Sequence, residues 1–335
     1  MSKLTVPEGY KTLLSPYETQ SAIGMTKRFF EDVLCEKLNL KRVSAPLFVE
    51  PESGLNDNLN GVERPVDFDL AETGRRAEVV HSLAKWKRMA LKKYGFHPGE
   101  GLYTDMNAIR RDEELDNLHS VYVDQWDWEK IITPEERNRA YLMETAGKII
   151  EAIADTSDML RQHFPQVGRC IKREAAFVTT QQLEDMYPSL TPKQREDAFL
   201  RENGTAFIMQ IGKTLRSGKK HDGRAPDYDD WELNGDIMFW DDILGSAIEL
   251  SSMGIRVDPA AMDRQLAAAG CDDRRSLPFH RDLLAGRLPL TIGGGIGQSR
   301  LCMLLLNKAH IGEVQVSVWD EATLRGCADA GIELL

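Results

Sequence analysis

Apolar residues recur at helical spacing in several stretches of the 335-residue chain. The clearest stripe predicts an amphipathic helix over residues 17–38, where Phe30, Leu34 and Leu38 fall on one face. The same spacing predicts three more helices, and the first of these is basic. They cover residues 82–94, 137–164 and 296–306.

Other stretches alternate between apolar and polar residues, or form short apolar runs, as strands do. Residues 121–132 alternate and are rich in aromatics. Residues 43–49 predict an edge strand broken by Pro46. Residues 213–236 are crowded with glycine and charge and predict a loop. The remaining predicted strands are residues 206–211, 237–240, 248–257 and a last short one at 290–292, just before a run of glycines.

Strands and helices intermix in this order without a Pro/Ser-rich linker, an internal repeat or a low-complexity segment. The pattern predicts a single α+β domain over residues 1–335, with a large, mostly antiparallel sheet flanked by helices.

Composition narrows the class of protein. The chain is 42% hydrophobic and 28% charged, as globular proteins are. Its 53 acidic and 42 basic residues give a net charge of -11, which argues against a protein that grips nucleic acid but permits a small anionic ligand held by local arginines. No apolar run predicts a signal peptide or a membrane span, so we expect a soluble, cytoplasmic protein. The five cysteines are scattered, which predicts neither disulfides nor a zinc site: Cys35, Cys170, Cys271, Cys302 and Cys327.

Residues 291–301 read TIGGGIGQSRL. This string is not a P-loop, and it lacks the third glycine and the following chain of a dinucleotide-binding fold. It predicts a strand, a glycine turn and a helix whose first turn carries Arg300. Gly295 and Gly297 would let a flat group approach the backbone, while Arg300 would hold a phosphate. The alternative is a close helix–strand crossing with a surface arginine.

A second motif is a predicted antiparallel hairpin. One strand ends at Arg110, an acidic loop follows, and the returning strand places Gln125 and Asp127 on one face. Buried acids beside an arginine are costly unless they bind something or each other. The alternative is the charged outer face of an edge hairpin.

The three segments together resemble motifs 1, 2 and 3 of class II aminoacyl-tRNA synthetases. They are the helix and strand of residues 17–49, the hairpin of 103–130 and the strand, glycines and helix of 290–306. Longer strings resemble one family in particular, the ammonia-dependent asparagine synthetases (aspartate–ammonia ligases), from about residue 17 to 319. Besides 291–300, these strings are residues 54–61, 80–88, 99–104, 119–129, 224–231 and 249–256.

This resemblance implies a two-step reaction, in which ATP activates the β-carboxylate of aspartate as an adenylate and ammonia then displaces AMP. It implies that Arg110 and Arg300 hold phosphates, and that Arg256 and Lys87 bind a substrate carboxylate. The substrate ammonium group would fall to Asp57, Gln125 and Asp127, with Ser251 nearby. Asp57 would also bind or deprotonate the incoming ammonium ion.

The resemblance also implies an ATP site and a magnesium ion that arrives with ATP. Expected ATP-binding residues besides the arginines and glycines are Ser82, Ser120, Arg224, Asp229 and Ser252. Expected Mg²⁺ ligands are Asp236 and Glu249. For the acids of residues 227–230, a loop of solvated aspartates is the plain alternative.

Partners follow from the same comparison. We expect small-molecule substrates only, no nucleic acid, no membrane, and a homodimer built on residues 17–49. Free ammonia is the expected nitrogen donor, because the first cysteine is Cys35 and an N-terminal nucleophile for glutamine is missing. Two other functions stay open. One is a ligase of the same fold with a protein acceptor, and the other is a non-catalytic, amino acid-binding pseudo-synthetase.

Overall fold

A computed structural model describes residues 4–57 and 63–335. Eight of its strands form one mixed sheet in the order β1-β5-β6-β11-β10-β9-β8-β7, and three form a small sheet in the order β2-β4-β3. The strands are β1 Leu40–Arg42, β2 Phe48–Val49, β3 Asp67–Leu70, β4 Arg75–Val79, β5 Gly101–Ile109, β6 Tyr122–Ile131, β7 Ala176–Thr179, β8 Thr205–Met209, β9 Asp229–Asp241, β10 Ser246–Arg256 and β11 Thr291–Gly297.

The large sheet is antiparallel through its middle, and only its edge pairs, β1 with β5 and β7 with β8, are parallel. The expected α+β fold with a mostly antiparallel sheet is thereby confirmed. Helices flank the sheet. They are α1 Pro16–Leu38, α2 Ala84–Lys93, α3 Arg139–His163, α4 Thr180–Met186, α5 Pro192–Asn203, α6 Pro259–Ala269, α7 Pro278–Leu284, α8 Gln298–Leu305 and α9 Glu321–Asp329.

Helix α1 shows how sequence sets these boundaries. The Ser15 side chain accepts a hydrogen bond from the Glu18 backbone N–H, and the Glu18 carboxylate accepts one from the Ser15 backbone, which together form a capping box. The helix ends where Asn39 adopts the left-handed conformation. Its buried face packs on α3 and β6, with the Phe30 and Trp126 rings 4.7 Å apart. The apolar stripe predicted this helix to within one residue.

Three predicted elements were wrong in detail. Of the expected strand over residues 43–49, only Phe48–Val49 form a strand, β2, while β1 ends before this range, at Arg42, and belongs to the other sheet. The expected loop over 213–236 is a loop only as far as Tyr228, because β9 begins at Asp229. The last strand does not stop before the glycines but runs through them, as β11.

None of the helices in the described part of the chain is both long and apolar enough to cross a bilayer.

His310, in the segment after α8, gives the fold a pH dependence. Its ring is fully buried, lies 4.7 Å from the Trp319 ring, and accepts a hydrogen bond from the Gly312 N–H at 3.0 Å. Burial lowers the pKa of His310 from 6.5 to about 4. The unfolded chain therefore binds more protons than the folded one between these two values, so stability falls as the pH falls through this window.

We expect the free energy of unfolding to drop by about 2 kcal/mol from this residue alone between about pH 6.5 and pH 5. Urea unfolding near pH 7 and near pH 5, compared between the wild type and His310→Asn, measures it. The variant should lose that part of the pH dependence. Equal pH dependence in the two proteins would refute the assignment.

Candidate active site

A cavity of about 380 Å³ opens over the middle of the large sheet. Strands β6, β10 and β11 supply its floor, and its rim comes from the β5–β6 loop and from residues 222–228. The cavity brings together side chains that are distant in sequence. Nine of the predicted site residues line it: Arg110, Ser120, Gln125, Arg224, Glu249, Ser252, Gly295, Gly297 and Arg300.

The glycines of β11 make room for side chains of the neighbouring strand. Gly293, Gly295 and Gly297 lie opposite Glu129, Asp127 and Gln125 of β6 in the register of the sheet. A Cβ atom on Gly295 would lie 2.5 Å from the Gln125 Oε1, and one on Gly293 would meet the carboxylate of Glu129. The prediction of a glycine turn was therefore wrong. Alternate glycines here leave space for the polar face of β6, which the predicted hairpin correctly placed on one side.

The two arginines expected to bind phosphate both line the cavity. Arg110 directly follows β5, and its backbone N–H donates to the Val121 carbonyl oxygen at 2.8 Å. Its Nη1 is 3.8 Å from the Glu113 carboxylate, and its Nε is buried without a hydrogen-bond partner among the described residues. Arg300 is the third residue of α8 and donates to the Glu249 carbonyl oxygen at 3.0 Å. Such planar groups suit an anion with several oxygens.

Below the cavity lies a buried chain of alternating charges. The Lys87 ammonium group donates to the Asp127 carboxylate and, at 2.9 Å, to the Gly294 carbonyl oxygen. It is 3.9 Å from Glu129, which accepts three hydrogen bonds from Arg256 at 2.8–3.1 Å. Burial lowers the pKa of Lys87, although Asp127 opposes that shift.

Glu129 is fully buried, which by itself raises the pKa of a carboxyl group. The Arg256 guanidinium opposes this most strongly, and together with Lys87 and Thr291 it brings the pKa of Glu129 below its ordinary value. Arg256 also donates to Asp229, at the start of β9. The acids at residues 227–230 are therefore not solvated: the structure buries Asp227, Asp229 and Asp230.

Arg224 joins this network to the cavity. It donates to the Asp236 carboxylate at 2.6 Å and to the Ser252 hydroxyl. Burial, together with the nearby Glu249 and Asp222 carboxylates, raises the pKa of Asp236 to about 7, although Arg224 opposes the shift. The acids on this side of the cavity thus repel one another when no cation is present.

A divalent cation that came with a polyphosphate would relieve that repulsion. Within the described residues, no three His, Cys, Asp or Glu side chains already stand in a metal-binding arrangement. Magnesium bound to a nucleotide needs only one or two protein carboxylates. Asp236 and Glu249 therefore fit the expected role without forming a preassembled site.

The remaining predicted residues lie outside the cavity lining. Asp57 is buried. The pKa of Tyr228, which lines the cavity, is raised first by the burial of Tyr228 and then by the negative charge of the Asp57 carboxylate. Ser251 is buried on β10, and its hydroxyl has no partner among the described residues. Ser82 accepts a hydrogen bond from the Ala84 N–H at the start of α2, at 3.1 Å. Residues 58–61 of the string that contains Asp57 lie outside the described part.

The sequence interpretation missed several residues of the site. Glu129 continues the alternation of Gln125 and Asp127, so period two could have found it. Asp124, which lines the cavity, accepts a hydrogen bond from the Ser299 N–H at 3.1 Å, and no local pattern marks it. His119 and Gln315 also line the cavity, from a loop and from the chain after α8.

The fold is that of the class II aminoacyl-tRNA synthetases. The asparaginyl-tRNA synthetase of Pyrococcus horikoshii, complexed with asparaginyl-adenylate, matches with a TM-score of 0.65 at 14% identity, over 89% of this chain and 68% of that one. The asparaginyl-tRNA synthetase of Entamoeba histolytica matches with a TM-score of 0.64 at 13% identity, over 90% and 67% of the two chains.

Sequence comparison identifies the family within this fold. Residues 17–331 match the aspartate-ammonia ligase family, and the chain belongs to that family. Aspartate--ammonia ligase from Ruminiclostridium cellulolyticum is 60% identical over an alignment of 336 positions that covers 100% of both chains. The corresponding proteins of Clostridium tetani and Bacillus cereus are each 58% identical, over 99% and 97% of this chain and 98% and 99% of their own.

Proposed function

We propose that this protein is an ATP-dependent ligase that makes asparagine from aspartate and ammonia and releases AMP and pyrophosphate. One observation carries the proposal: a cavity lined by Arg110 and Arg300 adjoins two buried cations. Lys87 donates to the Gly294 carbonyl oxygen, next to Gly295 in the lining, and Arg256 lies 5.8 Å from the ring of Tyr228 in the lining. A polyphosphate and a small zwitterion would meet where these two groups of charges adjoin. Family membership supports the same reaction.

In the first step, a β-carboxylate oxygen of aspartate attacks the α-phosphorus of ATP. The bond from that phosphorus to the bridging oxygen breaks, and pyrophosphate leaves. Negative charge builds up on the phosphoryl oxygens in the transition state, so fixed guanidinium groups lower the barrier. We assign that role to Arg110 and Arg300, with Ser120, Arg224, Ser252, Gly295 and Gly297 around the nucleotide.

Aspartate itself would bind over β6 and β11. Arg256 and Lys87 supply positive charge for a carboxylate, and Gln125 and Asp127 supply oxygens for the ammonium group. The glycines of β11 leave room for the Gln125 and Glu129 side chains on this face, beside which the substrate would lie. Because Lys87 already contacts Asp127, the pair is held in place before substrate arrives.

Magnesium is the cation that fits this proposal. Asp236 and Glu249 would hold it, and it would neutralise the phosphate oxygens of ATP. The ligand-free acids of this wall repel one another, as the raised pKa of Asp236 indicates.

In the second step, the ammonia nitrogen attacks the β-carbonyl carbon of the adenylate. The bond from that carbon to the AMP oxygen breaks, and a proton leaves the nitrogen. We assign the binding and deprotonation of the incoming ammonium ion to Asp57, which is buried beside Tyr228 at the cavity.

The direct test incubates the purified protein with ATP, Mg²⁺, aspartate and ammonium chloride and separates the products. Equimolar AMP and asparagine, with no asparagine when glutamine replaces ammonium, is the expected result. AMP and pyrophosphate without asparagine would indicate a different acceptor, such as a protein. No nucleotide turnover would instead favour a non-catalytic amino acid-binding protein.

Asp57→Asn tests the second step alone. The amide removes the base but keeps the shape, so asparagine formation should fall by about 10²-fold or more. ATP–pyrophosphate exchange driven by aspartate should fall much less, because the first step needs no base and Gln125 and Asp127 still hold the ammonium group of aspartate. A variant that keeps full ammonia-dependent synthesis would remove Asp57 from this role.

Oligomeric state is part of the proposal. Tyr17 at the start of α1, and Leu47 and Phe48 around β2, are large apolar side chains exposed on the chain. We propose that a second copy covers this region in a homodimer, with no nucleic acid or membrane partner. Sedimentation at micromolar concentration should give twice the monomer mass, and a monomer would contradict it.

A further inference from the structure

The loop between β5 and β6, residues 110–121, carries much of the cavity rim. Arg110, Glu113, His119 and Ser120 all line the cavity from this one loop. A connection of this length lies largely outside the hydrogen-bonded pairing of β5 with β6, so that pairing does not fix its conformation. Side chains that must meet a phosphate need positions accurate to a fraction of an ångström. Contacts elsewhere must therefore hold the loop.

Asn117 supplies a buried contact of this kind. Its side chain is buried, and its carbonyl oxygen accepts the Thr5 N–H at 2.7 Å. Its amide nitrogen donates to the Thr5 carbonyl oxygen at 2.8 Å and to the Ala309 carbonyl oxygen at 2.7 Å. The Asn117 backbone oxygen accepts the Ile311 N–H at 2.8 Å. One side chain thus ties the loop both to residues 4–14, here called the N-terminal segment, and to the chain after α8.

The N-terminal segment is itself fastened at more than one point. The Tyr10 hydroxyl donates to the Glu313 carboxylate at 2.9 Å, and Lys308 donates to the Thr12 hydroxyl at 2.7 Å. Leu14, at its end, is buried in the main core. The segment is therefore a fixed support for the loop.

The hydrogen bonds of the Asn117 side chain, here called the tether, affect the cavity through the residues next to Asn117. The Asp116 carboxylate accepts the N–H groups of Leu118 and His119 at 2.7 and 2.8 Å. The same carboxylate holds the His119 ring at 2.8 Å. Any shift of Asn117 would consequently move His119, which lines the cavity.

We infer that Asn117 and the N-terminal segment position the phosphate-binding loop, so that the first residues of the chain help to set the affinity for ATP. The inference rests on the proposed function in that ATP is taken as the ligand. Asn117 does not line the cavity: it is a positioning residue that acts through the part of the loop that carries His119 and Ser120. Lys87 and Arg256, which would bind aspartate, lie on other elements.

A pair of variants at Thr5 tests the inference without changing the loop. Thr5→Pro deletes the N–H that donates to Asn117, while Thr5→Ala keeps both backbone groups. Thr5 is exposed, so neither change disturbs the core. We expect Thr5→Pro to weaken ATP binding about fivefold, as the loss of one hydrogen bond does, and Thr5→Ala to bind like the wild type. Asn117→Ala, which loses all three bonds, should weaken binding by about 30-fold or more.

Asn138→Ala is the matched control for stability. The Asn138 side chain also bonds to backbone groups: its oxygen accepts the Tyr141 N–H at 3.0 Å, and its amide nitrogen donates to the Glu135 carbonyl oxygen at 2.7 Å. These bonds cap α3 and do not involve the loop. Asn138→Ala should lower the melting temperature and leave ATP binding unchanged. For Asn117→Ala, the KM for aspartate should stay at the wild-type value while the KM for ATP rises.

Calorimetry of Mg²⁺–ATP binding gives the readout, because it needs no turnover. Wild-type ATP affinity in both Thr5→Pro and Asn117→Ala would overturn the inference, as would equal losses in Thr5→Ala and Thr5→Pro. A proportional rise of both KM values in Asn117→Ala would also overturn it. If the wild type binds ATP but makes no asparagine, the proposed reaction is refuted. The ATP affinities of the Thr5 and Asn117 variants would then still decide whether the inference holds. A wild type that binds no ATP would refute both.

Discussion

Replacing Arg300 with alanine should lower the rate of aspartate-dependent ATP–pyrophosphate exchange by about 10³-fold. The guanidinium group lines the cavity on the first turn of α8, where it would face the charge that develops on the phosphoryl oxygens. Arg110→Ala should act similarly from the opposite rim. Lysine at either position should recover only part of the rate, because a point charge lacks the planar pair of donors.

Arg111→Ala is the matched control for these variants. Arg111 adjoins Arg110 in sequence but is exposed and is not among the described residues that line the cavity. Its exchange rate should stay within about twofold of the wild type, since exposed charges distant from the reacting atoms contribute little. If Arg300→Ala exchanged pyrophosphate normally and lost only aspartate affinity, Arg300 would belong to the amino acid site instead.

Replacing Arg256 with glutamine should cost about 3–5 kcal/mol of stability, because it leaves two buried carboxylates without their guanidinium. Glu129 has no exposed surface and Asp229 has 1%. Burial raises the pKa of Glu129, and Arg256 is the largest of the causes that bring it below its ordinary value, with Lys87 adding to it. Urea unfolding measures the loss. The Arg256→Gln protein that does fold should also have a much higher KM for aspartate, since Arg256 is proposed to bind a substrate carboxylate.

Two further variants test whether the loss of stability comes from breaking a buried charge network and not from losing any ion pair. Arg75→Gln breaks the exposed pair with Glu50, whose side chains are 65% and 46% accessible, and should cost less than about 1 kcal/mol. Adding Glu129→Gln to Arg256→Gln should restore part of the lost stability, because one unpaired charge is removed. A urea midpoint for Arg256→Gln equal to that of the wild type would contradict this account.

The sequence was most informative where structure depends on local pattern. The stripe of Phe30, Leu34 and Leu38 predicted α1, and alternation predicted β6 with Gln125 and Asp127 on one face. Both patterns hold because one side of each element meets the core. The positions of Arg110 after a strand and Arg300 in the first turn of a helix followed from the same reasoning, and both arginines line the cavity.

Sequence failed where the reason for a residue lies on a distant strand. The glycines of β11 predicted a turn, yet they are glycines because β6 fills the space beside them. For Asp229 and Asp230 the sequence left a solvated loop open as the alternative, but both are buried and paired with Arg256 and Arg137. Arg256 and Glu129 are 127 positions apart, and the tether from Asn117 to Thr5 spans 112. A single sequence carries no signal for such pairs.

The place of β11 in the sheet has a consequence for how the chain is made. β11 pairs with β6 on one side and with β10 on the other, although it is the last strand to be synthesised. Until residues 291–297 leave the ribosome, the sheet exists at most as two halves, each with an open edge at its centre. Unpaired edges invite association between nascent chains. A ribosome that stalls before this strand would therefore release a chain that is prone to aggregate.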